Sequence, residues 1–261
     1  MSAPPDLLRR IVERRRARYG PFDADSELPA PAALDSAAAS NRFVAALAAR
    51  RGAAVIAEIK LGSPRLGDLT RRVDVERQVD AYVAGGAAAL SVVVEPDFFH
   101  GSPELLRRAR ARSGLPAIAK DFVVHPRQLD EAAAAGADAV LLIAALYENE
   151  ALRRWAGAAR ARGLAPLVET HDRADLARLH GAAWELVGVN SRDLRSFDVD
   201  LALAVALRPA LPEGALAVAE SGIATGADVA RLRAAGFDAF LVGESLLLAE
   251  DPEAKLRELV G

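Results

Sequence analysis

The stretch that decides the fold is "PRQLDEAAAAGADAVLLI", residues 126–143. It opens with a proline, which suits the first turn of a helix because the N–H it lacks would be orphaned there anyway. An amphipathic run follows and stops at Gly136, a residue that ends helices by adopting the left-handed conformation. "DAVLLI" at 138–143 is too short for a helix and apolar on both faces, as a buried parallel strand is. The same helix, glycine and strand return as "GADVARLRAAGFDAFLVG" at 226–243, and "DRADLARLHGA" at 172–182 repeats the helical part with Gly181 as its stop.

Working outward, apolar runs of this kind occur at 53–59, 88–94, 116–120, 138–143, 165–169, 185–190, 215–220 and 238–243. Eight strands alternating with helical stretches predict an α/β fold, the closed (β/α)8 TIM barrel. An open doubly wound sheet is the alternative. It usually has fewer strands and often carries a GxGxxG first turn, which is missing here.

The first 45 or so residues break the rhythm. "LLRRIVERRRARYG" at 7–20 predicts an amphipathic helix with Leu7, Leu8 and Ile11 on its buried side. It is Arg-rich, but Glu13 and the lack of Ser argue against a transit peptide. "GPFDADSELPAPAALDSAAAS" at 20–40 reads as a connecting segment. The expected organisation is an N-terminal helical extension over 1–45 packed on a barrel of 46–261, one domain overall.

A net charge of −3 gives no sign of a nucleic-acid binder. The chain has no Cys, which excludes disulfides, thiolate metal sites and a Cys nucleophile. The four His show no paired ligand spacing, so no metal or cofactor is implied. No apolar run reaches the eighteen or so residues of a membrane helix, and no signal-peptide core is present. A cytoplasmic protein is expected.

Barrel chemistry gathers where the strands end. Here the first strand ends in Glu58 and Lys60, two apart and so on one face. The second runs into Glu95, the third ends in Lys120, the fifth in Glu169, the sixth in Asn190, the seventh in Glu220 and Ser221, and the eighth in Gly243. The lysines are informative because 33 basic residues include only Lys60, Lys120 and Lys255. An ammonium can be pushed toward neutrality and can give up its proton, whereas a guanidinium stays charged. Any one rim charge could simply face solvent. Two lysines and the carboxylates Glu58, Glu169 and Glu220 arriving from different strands predict acid–base work in a shared mouth.

A phosphate site is also legible. Gly222 in "ESGIATGAD" and Gly243 in "VGESLL" follow the seventh and eighth strands, the usual phosphate cradle of this barrel. "ESLL" opens a short helix whose N–H groups would face an anion. "LGSPRLGDLT" after the first strand has the length and glycines of a mobile flap. Ser63 within it is either a phosphate ligand or an ordinary turn residue.

Seven ordered blocks now resemble the indole-3-glycerol-phosphate synthase family of tryptophan synthesis: "VIAEIKLGSPRLG", "ALSVVVEPDFFHGS", "AIAKDFVVHPRQLDEAAAAGADAVLLI", "LVETHD", "GVNSRDLRSFDVDL", "AESGIAT" and "LVGESLL". The resemblance implies a carbon–carbon lyase that closes the indole ring of 1-(2-carboxyphenylamino)-1-deoxyribulose 5-phosphate, with loss of CO2 and water, and needs no cofactor. It implies Lys120 as general acid and Glu169 as general base. Lys60 would hold the substrate carboxylate and assist proton transfer. Glu58 and Asn190 would orient the reacting groups, with Glu220 and Ser221 completing the polar mouth. Ser63, Gly222, Gly243 and the backbone at Glu244 would hold the phosphate, Arg192 would support the site, and Phe122 would line the part that receives the aromatic ring. The partners implied are a phosphorylated small molecule, no nucleic acid and no membrane, with the chain a monomer or weak homo-oligomer.

Some residues depart from the family's pattern. Leu61 and Arg65 stand where it usually has a basic residue and a serine, Ser191 replaces an asparagine, and Val94 and His125 replace the commoner Thr and Asp. None is a proposed catalytic group. Three other functions remain open at this point. One is the phosphoribosylanthranilate isomerase, disfavoured because that family relies on a Cys base. Another is a related barrel acting on a different anthranilate-derived sugar phosphate, and the last is a catalytically silent barrel with a binding role.

Overall fold

The computed structural model describes residues 7–28, 41–193 and 198–261. The expected connecting segment at 20–40 lies partly outside these residues. Eight strands form the barrel: β1 Ala54–Ile59, β2 Ala89–Val93, β3 Ala117–Lys120, β4 Ala139–Ile143, β5 Ala165–Thr170, β6 Leu186–Asn190, β7 Leu216–Glu220 and β8 Ala239–Val242. Each pairs in parallel with the next, and β8 pairs back onto β1 to close the ring. The predicted barrel is therefore the observed fold.

Alternation along each strand splits the core in two. Val55, Ala57 and Ile59 of β1 face outward into the layer between strands and helices. Ala54 and Ile56 face inward, with Ile118, Leu141, Leu167, Leu186, Val218 and Leu241 from other strands. Phe43 and Leu47, fully buried on helix Arg42–Ala48, belong to the same inner cluster. Burying each such side chain contributes roughly 1.5–3 kcal/mol.

The unit at 126–143 forms as its residues predict. The helix runs Pro126–Ala134, and Gly136 turns the chain at φ 86°. His125 supplies the N-cap: its ring accepts from the Arg127 N–H, while Gln128 accepts from the His125 N–H. Asp138 then pins the neighbouring strand, accepting from the Ala117 N–H at 3.0 Å. The unit at 226–243 does the same with Thr225 as cap and Asp238 accepting from the Ala217 N–H at 2.8 Å. The third unit differs from expectation. Its α-helix is only Arg173–Ala177, because the chain tightens into shorter-range bonds, Arg178 N to Asp175 O and Leu179 N to Leu176 O.

Helix α1, Leu7–Tyr19, buries Ile11, Val12 and Arg15. Ile11 is buried as expected, whereas Leu7 and Leu8 are half-buried. Arg15 makes an ion pair with Asp121, the residue after Lys120, with both side chains at 5% exposure or less. Residues after α1 are not a bare connection either. Ala24–Glu27 form a helical turn, and Phe22 packs on Trp155 with ring centroids 5.5 Å apart.

Candidate active site

The inward rows of the strands change character toward their C-terminal ends. On β1 the series Ala54, Ile56 continues as Glu58 and then Lys60; on β3 Ile118 gives way to Lys120; on β5 Leu167 to Glu169; on β7 Val218 to Glu220. The period of two places every one of these charges over the apolar plug rather than outside the barrel. They open into a cavity of about 890 Å³, ample for a drug-sized ligand.

Of the residues predicted from sequence, Glu58, Lys60, Ser63, Lys120, Phe122, Glu169, Asn190, Arg192, Ser221, Gly222, Gly243 and Glu244 all line this cavity. Glu220 lies behind the lining, fully buried. One carboxylate links the two lysines. Glu58 Oε1 is 2.8 Å from Lys60 Nζ, and its Oε2 is 3.6 Å from Lys120 Nζ. Lys120 Nζ also donates to Glu220 Oε2 at 3.2 Å.

These contacts set the charges. Burial disfavours the Glu58 carboxylate, but Lys60 and Lys120 overcome it and hold its pKa down to about 2. Burial would likewise lower Lys120, yet Glu220, Glu58 and Glu169 together push it above the ordinary lysine value. The reason expected for keeping a lysine here is thus half right. It retains a transferable proton, but its surroundings hold the ammonium charged rather than neutral. Glu220 goes the other way. Burial, helped by the nearby Glu169, outweighs Lys120 and raises it to about 8. Its Oε1 is buried with no hydrogen-bond partner in the structure.

The end of the cavity expected to take a phosphate rests on backbone geometry. Ser221 has φ 66° and Gly222 φ 79°. A left-handed serine costs of order 1–3 kcal/mol, a strain that clusters at functional sites. Gly243 caps helix Glu244–Leu247 without a side chain. The glycines were expected to make room for a ligand; their neighbours also require them. A Cβ on Gly243 would stand 2.3 Å from Glu58 Oε1, and one on Gly222 would stand 2.2 Å from Val199 Cγ1. The Glu244 carboxylate pairs with Arg65, and with Arg192 at 3.5 Å. Asn190 Oδ1 accepts from the Arg192 N–H at 3.0 Å, turning the loop after β6. The flap region forms a small hairpin, Gly62–Ser63 against Gly67–Asp68, and Ser63 Oγ accepts from the Leu66 N–H.

Other features carried little sequence signal. Glu95, at the end of the β2 run, does not reach the cavity. Both of its oxygens cap helix Pro96–Phe99, accepting from Asp97, Phe98 and Phe99. Leu7, Leu8 and Ile11 of α1 form part of the cavity wall, as does Phe99, whose ring lies 6.1 Å from Phe122. His171, next to the base candidate, sits between Glu169 and Asp175. Among the described residues no group of three or more His, Cys, Asp or Glu is placed to hold a metal ion. Nor, among them, is any helix long and apolar enough to cross a membrane.

Comparison with known proteins bears on the family and the fold. Residues 8–259 match the family model described as indole-3-glycerol phosphate synthase. The chain is 41% identical over 263 residues to the indole-3-glycerol phosphate synthase of Variovorax paradoxus, covering 98% of this chain and 99% of that one. It is 44% identical over 233 residues to that of Aromatoleum aromaticum, covering 88% and 89%. Among solved structures, 3-hexulose-6-phosphate synthase from Salmonella typhimurium superposes with a TM-score of 0.63 at 14% identity, over 79% of this chain and 96% of that one. Thiamine phosphate pyrophosphorylase from Pyrococcus furiosus gives 0.57 at 17%, over 81% and 95%. At those identities the likeness is one of fold.

Proposed function

Because this chain belongs to the indole-3-glycerol phosphate synthase family, we propose that it closes the indole ring of 1-(2-carboxyphenylamino)-1-deoxyribulose 5-phosphate, releasing CO2 and water. The observation that carries this reading is the Glu58 carboxylate between two ammonium groups, in one cavity with Glu169 and a glycine-framed pocket.

In the first step the ring carbon bearing the carboxylate attacks the ketone carbon. Lys120, held charged, gives its proton to the ketone oxygen as the new carbon–carbon bond forms. The bond to the carboxylate then breaks, and its electrons return to the ring as CO2 leaves. In the second step the new hydroxyl takes a proton from an ammonium, assigned to Lys60, and departs as water. Glu169 removes the proton whose loss completes the indole. Two protons given and one taken leave one consumed, as loss of CO2 from a carboxylate requires. Each placed acid or base contributes about 10²–10⁴-fold. Anchoring the substrate at both anionic ends, by Lys60 at the carboxylate and by the loops after β7 and β8 at the phosphate, supplies proximity. Ser63, Gly222, Gly243 and the backbone at Glu244 form that phosphate end, Arg192 supports the site, and Phe122 with Phe99 receives the aromatic ring. Asn190, Ser221, Glu58 and Glu220 orient the groups in the mouth.

The same reading takes the protein as cytoplasmic and as a monomer or weak homo-oligomer. It takes residues 1–45 as an extension of the one barrel domain, which the Arg15–Asp121 pair supports. The direct test is purified protein with the named substrate, followed by indole fluorescence, with Lys120→Ala as control. Turnover above the control is expected. A signal no greater than the control would favour a different sugar phosphate or a silent barrel.

A further inference from the structure

The general base assigned above has a histidine at its back. Glu169 Oε1 lies 3.4 Å from His171 Nε2, and His171 Nδ1 lies 3.5 Å from Asp175 Oδ2. All three side chains are largely buried, with exposures of 3%, 16% and 5%. Both ring nitrogens are shut off from solvent, and neither has a well-aligned hydrogen bond. A neutral imidazole would turn a lone pair toward one of the two carboxylates. A doubly protonated ring presents a donor to each, so the imidazolium is the state this geometry favours.

The surroundings are built to keep it there. Asp175 Oδ2 also accepts from the His171 backbone N–H at 2.9 Å, and Asp175 Oδ1 accepts from Arg178 Nη1 at 2.5 Å. Asp172 caps the short helix by accepting from the Asp175 N–H at 2.8 Å, which fixes Asp175 in turn. On the other side of the backbone, Thr170 Oγ1 donates to the Gly188 carbonyl at 2.7 Å. The titratable groups facing His171 are Glu169 at the end of β5, Asp175 on helix Arg173–Ala177 and, more distantly, Glu220 at the end of β7. Burial lowers the affinity of His171 for a proton, but these carboxylates raise its pKa above the ordinary value. His171 does not line the cavity, whereas Glu169 does.

We propose that His171, backed by Asp175, is a positioning residue whose imidazolium holds the Glu169 carboxylate in its aim at the substrate. The inference rests on the reading of Glu169 as the base. It accounts for a buried histidine held between the strand-end carboxylate and Asp175.

Two measurements test it. The ring protons of His171 are titrated by NMR in the wild type, with His171→Gln identifying the signal. Replacing either flanking carboxylate, as Glu169→Gln or Asp175→Asn, lowers the midpoint if the ring bridges them. Steady-state kinetics are then measured on His171→Gln and, should that variant fold poorly, on His171→Asn. The expected result is a kcat lower by roughly 10-fold with KM within about twofold, and no further loss when the same change is made in Glu169→Gln. A residue with a purely structural role would lower the melting temperature and leave kcat alone. An active wild type whose kcat survives His171→Gln, or a His171 midpoint indifferent to Glu169→Gln, overturns the inference alone. A wild type without turnover overturns the functional reading and this inference with it.

Discussion

The two ends of the barrel use the same eight strands for opposite purposes. At one end the inward rows are Ala54, Ile56, Ile118, Leu167 and Val218, clustered with Phe43 and Leu47. At the other the same rows carry Glu58, Lys120, Glu169 and Glu220, some of the costliest side chains to bury. The first end contributes stability by removing apolar surface from water. The second consumes some of it to hold charges in a largely buried mouth, and a strained Ser221 beside them. Stability and chemistry are thus separated along the barrel axis, and substitutions at the two ends should have separable effects.

The sharpest way to break that comparison is Lys120→Arg. It keeps the charge and the approximate volume but not a transferable proton, so kcat should fall by about 10²–10⁴-fold while thermal melting stays close to wild type. A large melting shift with kcat preserved would reverse the assignment of roles. The converse substitution is Leu47→Ala. Removing this fully buried side chain should cost about 2–5 kcal/mol in urea unfolding, with kcat unchanged at temperatures where the variant is folded.

The mouth also contains its own contrast, readable from stability against pH. Glu58 has a folded pKa of about 2, below its unfolded value, so the stability it contributes at neutral pH is lost as pH falls through the acid range. Glu220, raised to about 8, binds more proton folded than unfolded between its ordinary carboxylate value and 8. Its contribution therefore declines as pH rises through that window. Each group acting alone changes stability by at most about 1.4 kcal/mol per pH unit. Relative to wild type, Glu220→Gln should gain stability from pH 5 to 8, and Glu58→Gln should gain as pH drops below 4. The same sign for both variants would contradict the charge pattern described for the mouth. The smallest effect is expected at the rim. Arg65 is 47% exposed in its pair with Glu244, and such pairs contribute about 0–1 kcal/mol. Arg65→Ser should change KM by no more than a few-fold and leave melting unaltered.

Most of the fold was legible because strand and helix were written in separate periods with glycine between them. All eight strands fall within the apolar runs or extend one residue past them. Helix Arg173–Ala177 is shorter than its pattern because hydrogen bonds, not hydrophobicity, decided where it tightened. The candidate site was legible for a related reason. Polar residues at the ends of apolar strands must share one mouth, whichever strand carries them. What could not be read was pairing between segments distant in sequence. Arg15 is one of many arginines, and nothing local ties it to Asp121, 106 positions away. Glu95 looked like its neighbours at other strand ends, but the prolyl helix that follows takes both its oxygens. His171 was visible in "LVETHD", yet its partners depend on how the following turn folds back.

Part of the cavity's enclosure comes from α1, through Leu7, Leu8 and Ile11, and not from the barrel loops. A library randomised over that short stretch would reshape the pocket while every proton-transfer group kept its place.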